Sequence, residues 1–265
     1  MILAGVLGFP VGHSRSPAMM KAAFGKLGLD WRYVKLPVPP ERFAETVRAL
    51  PGSGYRGANV TIPHKLAAHE LADDLSEAAR AIGAANTLVF EDGRIVADNT
   101  DAGGLLDALG EPVPATALVL GAGGAGRAAV WALRQTGAQV AVWNRTPERA
   151  EALAADLGAR HVARPEPAEL VVNATSVGLE GADGADDPGA AVAETLGLAD
   201  LPAPRVLVEL VYGAGPTPLS RWAAARGVRT VHGLEVLVRQ GARSFERWTN
   251  GPAPLEVMRR AAARG

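Results

Sequence analysis

The sequence predicts an α/β protein built as two successive sheet-and-helix regions, and three observations predict it. Residues 1–100 alternate short apolar runs with helical patterns, and residues 115–143 spell a strand, a glycine-rich turn, a helix and a second strand. The chain's 265 residues, 48% of them apolar, supply enough core material for two such regions.

In the first region, residues 3–7, 31–36, 57–61, 87–90 and 94–97 read as strands bounded by Gly, Pro or polar clusters. Residues 17–27, 40–50 and 64–71 read as helices; Pro17 and Pro40 suit a first helical turn, where an N–H would have no partner anyway. This alternation predicts a mostly parallel sheet covered by helices. In the second region, residues 115–120 form a buried strand, 121–126 a tight turn, 127–136 a helix stopped by Gly137, and 139–143 the next strand. Residues 170–173, 205–210 and 229–231 add strands. Residues 178–197 are acidic and rich in Gly and Ala, which predicts a solvated loop with at most one weak helix. Residues 233–265 are helical, broken at Asn250-Gly251-Pro252, and are a candidate to pack back on the first region, making that domain discontinuous.

Composition removes several function classes. A net charge of −1, with the arginines scattered, leaves no electrostatic footprint for nucleic acid. No run approaches the ~18 apolar residues of a membrane helix. The apolar start lacks a charged n-region and runs into Gly8-Phe9-Pro10, so it reads as a buried strand and not a signal peptide; the cytoplasm is the expected compartment. The absence of cysteine excludes disulfides and thiolate nucleophiles, so redox chemistry has to come from a cofactor. Among the five histidines only His64 and His69 lie close in sequence, at a spacing that does not share a helix face, and no metal site is expected.

The turn after the 115–120 strand carries a dinucleotide fingerprint: Gly121 for the turn, Gly123 for backbone approach to a pyrophosphate and Gly126 for close helix packing, with Ala122, Gly124 and Ala125 between them. Its position between a buried strand and a helix, whose N-terminal amides attract phosphate, gives the string its weight. The next strand ends in Trp143-Asn144-Arg145-Thr146-Pro147-Glu148-Arg149. No acid stands where NAD ribose hydroxyls need one; Arg145 and Arg149 suit a 2′-phosphate, with Thr146 as a hydrogen-bond donor, so NADP(H) is the expected cofactor. The same turn also suits capping of the following helix.

Only four of the 27 Lys and Arg residues are lysine, and Lys65 is the last of them. An arginine-biased chain that keeps a lysine after Asn59-Val60-Thr61-Ile62-Pro63-His64 points to chemistry, because an ammonium is compact and able to give up its proton. The alternative is an exposed first-turn lysine, which the helix dipole disfavours. Asp101 reads either as a hydrogen-bond acceptor beside that lysine or as the cap of a helix over 102–109. Ser14 and Ser16 stand at i, i+2, on one side of an extended segment, where they suit a carboxylate; the alternative is that Ser16 caps the helix opening at Pro17.

Gly8-Phe9-Pro10-Val11-Gly12-His13-Ser14-Arg15-Ser16-Pro17, Asn59-Val60-Thr61-Ile62-Pro63-His64-Lys65, Gly83-Ala84-Ala85-Asn86-Thr87 and Asn99-Thr100-Asp101-Ala102-Gly103-Gly104 together resemble the shikimate dehydrogenase family. Asn144-Arg145-Thr146, Asn173-Ala174-Thr175-Ser176-Val177-Gly178 and Gly233-Leu234-Glu235-Val236-Leu237-Val238-Arg239-Gln240-Gly241 extend the resemblance through the second region. It implies NADPH-dependent reduction of 3-dehydroshikimate to shikimate in aromatic amino-acid biosynthesis. The implied layout is a substrate domain of residues 1–101 and 236–265 and a Rossmann-type NADP domain of residues 102–235, with a cleft between them.

By the same resemblance Lys65 and Asp101 are catalytic. Ser14 and Ser16 bind the substrate carboxylate, with Tyr212 near it. Thr61, Asn86, Asp101 and Gln240 bind ring hydroxyls, and Thr175, Leu210 and Gly233 belong to the cofactor side, the last two bordering the nicotinamide. Glu209, where the family more often has Asp, and Gly213-Ala214-Gly215, which replaces a more proline-like stretch, are departures. An NAD-dependent quinate/shikimate dehydrogenase and a non-catalytic ligand sensor with this fold are the alternatives; the assembly state is open, a homodimer included.

Overall fold

The structure, a computed structural model, describes residues 1–178, 186–213 and 215–264. Residues 179–185, within the stretch expected as a solvated loop, Ala214 of the second departure, and Gly265 lie outside the described residues. The first half of the chain runs β1 (Ile2–Gly8), α1 (Ser16–Lys26), β2 (Trp31–Pro37), α2 (Phe43–Ala49), β3 (Tyr55–Val60), α3 (Lys65–Leu71), β4 (Asp74–Leu75), α4 (Glu77–Ile82), β5 (Thr87–Glu91), β6 (Arg94–Asp98) and α5 (Thr100–Leu109). The second runs β7 (Thr116–Leu120), α6 (Gly124–Gln135), β8 (Gln139–Trp143), α7 (Pro147–Leu157), β9 (Arg160–His161), β10 (Leu170–Asn173), α8 (Pro188–Thr195), β11 (Val206–Glu209), α9 (Pro218–Ala224), β12 (Arg229–His232), α10 (Gly233–Thr249) and α11 (Leu255–Arg264). The chain divides into two compact units, Met1–Gly104 with Leu237–Gly265, and Leu105–Val236.

The first unit holds a six-stranded sheet in the order β2-β1-β3-β5-β6-β4. β1 is parallel to β2 and β3, and β4 to β6, whereas β5 is antiparallel to both its neighbours. Strand–helix alternation alone does not foresee that reversal. Its cause is local: Asp92 and Gly93, at φ 50° and 74°, join β5 to β6 in a two-residue turn, which can link only antiparallel strands. β1 sends Ala4 and Val6 into one apolar cluster and Leu7 into another, and β5 likewise splits Val89 from Leu88. That alternation belongs to strands buried on both faces. The first cluster takes Phe24 from α1, Phe245 and Trp248 from α10 and Met258 from α11, so the C-terminal helices complete the first unit's core. α4 was unforeseen although both ends are marked: Ser76 Oγ accepts from Ala79 N at 3.1 Å, and Gly83 closes the helix at φ 70°. The expected 40–50 helix is a 3₁₀ turn, Pro40–Arg42, followed by α2.

The second unit holds a six-stranded, wholly parallel sheet in the order β12-β11-β10-β7-β8-β9. Counted from β7, this is the doubly wound dinucleotide-binding order, with its switch point between β7 and β10. The loops leaving β7 and β10 therefore meet where ligands bind in such sheets. Among the described residues no helix is long and apolar enough to cross a membrane.

Glu209 ties the ends of two central strands of this sheet. Its carboxylate is buried; Oε1 accepts from Val211 N at 3.0 Å, and Asn173 Nδ2, at the end of β10, donates to Oε1 at 3.0 Å and Oε2 at 3.2 Å. Burial outweighs these hydrogen bonds and one to Thr217, pushing the carboxyl up from 4.5 to about 7. Between those values the native chain holds a proton that the unfolded chain has lost. The group's contribution to stability is therefore complete below 4.5 and is lost as pH rises through about 7. Urea denaturation at stepped pH should show this loss, on the order of 3 kcal/mol, in the native protein and its disappearance in Glu209→Gln. Equal pH dependence in the two proteins would contradict the assignment.

Candidate active site

The sharpest feature of the first unit is an ion pair between two helix starts. Lys65 opens α3, Asp101 lies in the first turn of α5, and Lys65 Nζ stands 2.6 Å from Asp101 Oδ2, with the side chains 14% and 17% exposed. The capping reading of Asp101 fails because Asn99 does that work: its Oδ1 accepts from Asp101 N at 3.1 Å and Ala102 N at 3.3 Å. Asp101 is thereby left to face the lysine, and Lys65 is not the exposed first-turn lysine of the alternative reading.

Asp101 Oδ1 accepts from Asn86 Nδ2 at 2.8 Å, and the same Nδ2 reaches Gln240 Oε1 at 3.1 Å and Thr100 Oγ1 at 3.0 Å. The Asn86 amide has one workable orientation, since its Oδ1 accepts from the backbone N–H of Thr100 at 2.8 Å, a group that only donates. Gln240 Nε2 donates to Leu237 O at 2.8 Å. Lys65, Asp101, Asn86 and Gln240, far apart in sequence, thus form one hydrogen-bonded cluster.

Thr61 lies on the loop from β3 to α3, its N–H donating to Leu7 O at 2.8 Å and its carbonyl accepting from His64 N at 3.0 Å. Ser14 and Ser16 are both buried, but the segment is not extended. Arg15 has helical angles, φ −92° and ψ −4°, and is itself the residue that precedes α1, while Ser14 Oγ accepts from Ser16 N at 3.3 Å. The helix-start amide claims the nearest hydroxyl, so Ser14, not Ser16, serves the helix opening. His64 is a packed side chain, bonded through Nε2 to Val38 O at 2.7 Å and stacked on Phe43. Tyr212 follows β11 in the second unit.

Behind this cluster lies a polar layer that the sequence reading left without roles. Asn59 accepts from Tyr33 OH at 2.8 Å and donates through Nδ2 to Ser244 Oγ at 2.8 Å and Thr87 Oγ1 at 3.2 Å. Asn59, Thr87, Thr100 and Ser244 are all buried. Asparagine and threonine at strand ends inside apolar runs were the available signal; Ser244 offered none.

In the second unit, Gly121 has φ 108° and its N–H donates to Trp143 O at 2.8 Å, which joins the turn to the end of β8. A Cβ on Gly126 would stand 2.0 Å from Gly121 O, so only glycine lets α6 start this close to the turn. Gly123, which precedes α6, faces open space: nothing lies within 4 Å of a Cβ built there. α6 begins at Gly124, earlier than expected, so Gly124, Ala125 and Gly126 form its first turn and their amides lack carbonyl partners within the helix. Ala122 N donates to Asn144 Oδ1 at 3.2 Å, and Asn144 Nδ2 to Thr146 O at 2.9 Å.

Arg145, Thr146 and Arg149 are exposed, and Thr146 makes no side-chain capping bond. On the other side of the switch point, Thr175 is held by Asn173 Oδ1, 3.1 Å from its N and 2.7 Å from its Oγ1, and Leu210 O lies 2.6 Å from a Cβ built on Gly233. A strand-to-helix turn open at Gly123, free first-turn amides and arginines in place of an acid fit a dinucleotide with a 2′-phosphate.

Models of three kinds match the chain: the shikimate dehydrogenase substrate binding domain over residues 6–88, shikimate / quinate 5-dehydrogenase over 107–175, and the shikimate 5'-dehydrogenase C-terminal domain over 233–263. Shikimate dehydrogenase (NADP(+)) of Anaeromyxobacter dehalogenans is 44% identical over 98% of this chain and 95% of its own length. The Thermus thermophilus protein of the same name is 44% identical over 99% of each. The crystal structure of shikimate 5-dehydrogenase from Thermus thermophilus, in complex with NADP(H) and shikimate, superposes with a TM-score of 0.88 at 42% identity, covering 100% of this chain and 99% of that one. With a clustered Lys65–Asp101 pair in one unit, a dinucleotide cradle in the other and such likeness along its whole length, the chain belongs to the shikimate dehydrogenase family.

Proposed function

We propose that this chain reduces 3-dehydroshikimate reversibly to shikimate with NADPH, in the cytoplasm, as a step of aromatic amino-acid biosynthesis. The observation that carries the reading is the Lys65–Asp101 pair at 2.6 Å, bonded through Asn86 to Gln240. In this reading residues 1–101 with 236–265 hold the substrate and residues 102–235 the cofactor. Every residue given a role belongs to one chain, so the chemistry suits a monomer or a homodimer alike.

Bound NADPH supplies a hydride to the ketone carbon. The carbonyl oxygen gains negative charge as its π bond breaks, and Lys65 Nζ meets that charge and delivers a proton to it, leaving the alcohol. Asp101 holds the ammonium in place and accepts from a ring hydroxyl. Asn86, Gln240 and Thr61 orient the remaining hydroxyls, and Ser14, Ser16 and Tyr212 receive the carboxylate. The first-turn amides of α6 take the pyrophosphate, Arg145, Arg149 and Thr146 the 2′-phosphate, and Asn144 keeps that turn on the end of β8. Leu210 and Gly233 border the nicotinamide, and Thr175 belongs to the same cofactor side. A ligand sensor would not need to keep an intact, largely buried Lys65–Asp101 pair, which counts against that alternative.

Lys65→Ala should lower kcat for 3-dehydroshikimate by about 10²–10⁴-fold while NADPH binding, read by fluorescence titration, stays within about twofold. Turnover at the native rate would remove Lys65 from the chemistry. Arg145→Ala should raise the KM for NADPH by about 10–100-fold, as the loss of a charge-assisted phosphate contact demands, and leave NADH use nearly unchanged. Equal losses with both cofactors would favour the NAD-dependent quinate/shikimate alternative.

A further inference from the structure

We infer that Thr87 is a positioning residue for substrate recognition: its buried hydroxyl fixes the Asn86 amide and, through Ser244, the helix that carries Gln240. The inference rests on the substrate reading above and adds a residue to which that reading gives no role. Thr87 opens β5, paired with Asn59 of β3 on one side and Asp98 of β6 on the other, and it is fully buried. Thr87 Oγ1 stands 3.1 Å from Asn86 Oδ1, 2.8 Å from Ser244 Oγ, 3.2 Å from Asn59 Nδ2 and 3.2 Å from Thr100 Oγ1.

The chemistry at these contacts is unequal. Asn59 Nδ2 is an obligate donor and Asn86 Oδ1 an obligate acceptor, so a group standing between them has to accept from the one and donate to the other, and a hydroxyl does both. Thr87 supplies that bridge at the face of Asn86 turned away from Asp101. Ser244 continues it from within α10: Oγ accepts from Asn59 Nδ2 at 2.8 Å and gives its one proton to Thr87 Oγ1 at 2.8 Å, which leaves the Thr87 proton for Asn86 Oδ1. The side-chain amide of Gln240 meets Asn86 at 3.1 Å only while α10 keeps this position. A Cβ on Gly104 of α5 would stand 2.6 Å from Gln240 N, so α10 has no slack on that side. Both polar side chains assigned to the ring hydroxyls therefore lean on Thr87, which shares the contacts to Asn86 Oδ1 and Ser244 Oγ with Thr100 Oγ1, 3.1 Å from each, and alone of the two hydroxyls also accepts from Asn59 Nδ2.

Thr87→Val keeps the shape and removes the bridge; Thr87→Ser keeps the bridge. With shikimate and NADP+, Thr87→Val should raise the shikimate KM about tenfold, the loss of one buried hydrogen-bonded contact, with the NADP+ KM within about twofold and kcat changed less than KM. Thr87→Ser should return the shikimate KM to within about threefold of the native value. In the ligand-free protein labelled with 15N-asparagine, the side-chain amide resonances of Asn86 should shift and broaden in Thr87→Val and recover in Thr87→Ser. An unchanged shikimate KM in the valine variant, equal defects in both variants, or unmoved Asn86 resonances would overturn the inference. If the native protein failed to turn over shikimate, the substrate reading would fall, and the resonances alone would decide the role of Thr87.

Discussion

A lysine at the start of a helix sits at the wrong end of the dipole, and this molecule places Lys65 there. Asp101 makes the position tenable. Its carboxylate lies 2.6 Å from Nζ and itself occupies the first turn of α5, where a negative charge is favoured. Asp101 holds that orientation because Asn99 takes over the capping of α5, through bonds to the amides of Asp101 and Ala102. One capping asparagine thus decides whether the neighbouring carboxylate serves the backbone or the lysine.

The same economy of partners runs through the polar layer of the first unit. Asn86 divides its amide between Thr100 N behind and Asp101 with Gln240 in front, and a network so nearly saturated has one arrangement. Groups fixed before a ligand arrives need no reorganisation when charge develops on it, which is where electrostatic stabilisation gains most. In the second unit the constraint is steric, Gly126 against Gly121 O, and a buried carboxylate, Glu209, fastens β10 to β11 behind the loops that hold Thr175 and Leu210.

Much of this was legible because the signals are local. The strand, glycine turn and helix at residues 116–135 and the missing acid after β8 are read directly from neighbouring residues. Where the sequence left two readings open, two polar side chains competed for one helix start. Asn99 and Asp101 both suit the start of α5, and Ser14 and Ser16 both suit the start of α1; the geometry gives the first of each pair to the helix. The antiparallel β5 could have been foreseen from Asp92-Gly93, which is a hairpin turn by its residue types. Ser244 could not: it meets Asn59 and Thr87 only after residues far apart in the chain come together, and a serine on a helix carries no mark of that destination.

The most direct test of the central claim follows NADPH absorbance with the purified native protein and 3-dehydroshikimate, with dehydroquinate and NADH run in parallel. The arrangement around Lys65 and Arg145 predicts rapid oxidation of NADPH by 3-dehydroshikimate and weak activity in the other combinations. Preference for dehydroquinate with NADH, or no oxidation in any combination, would contradict it.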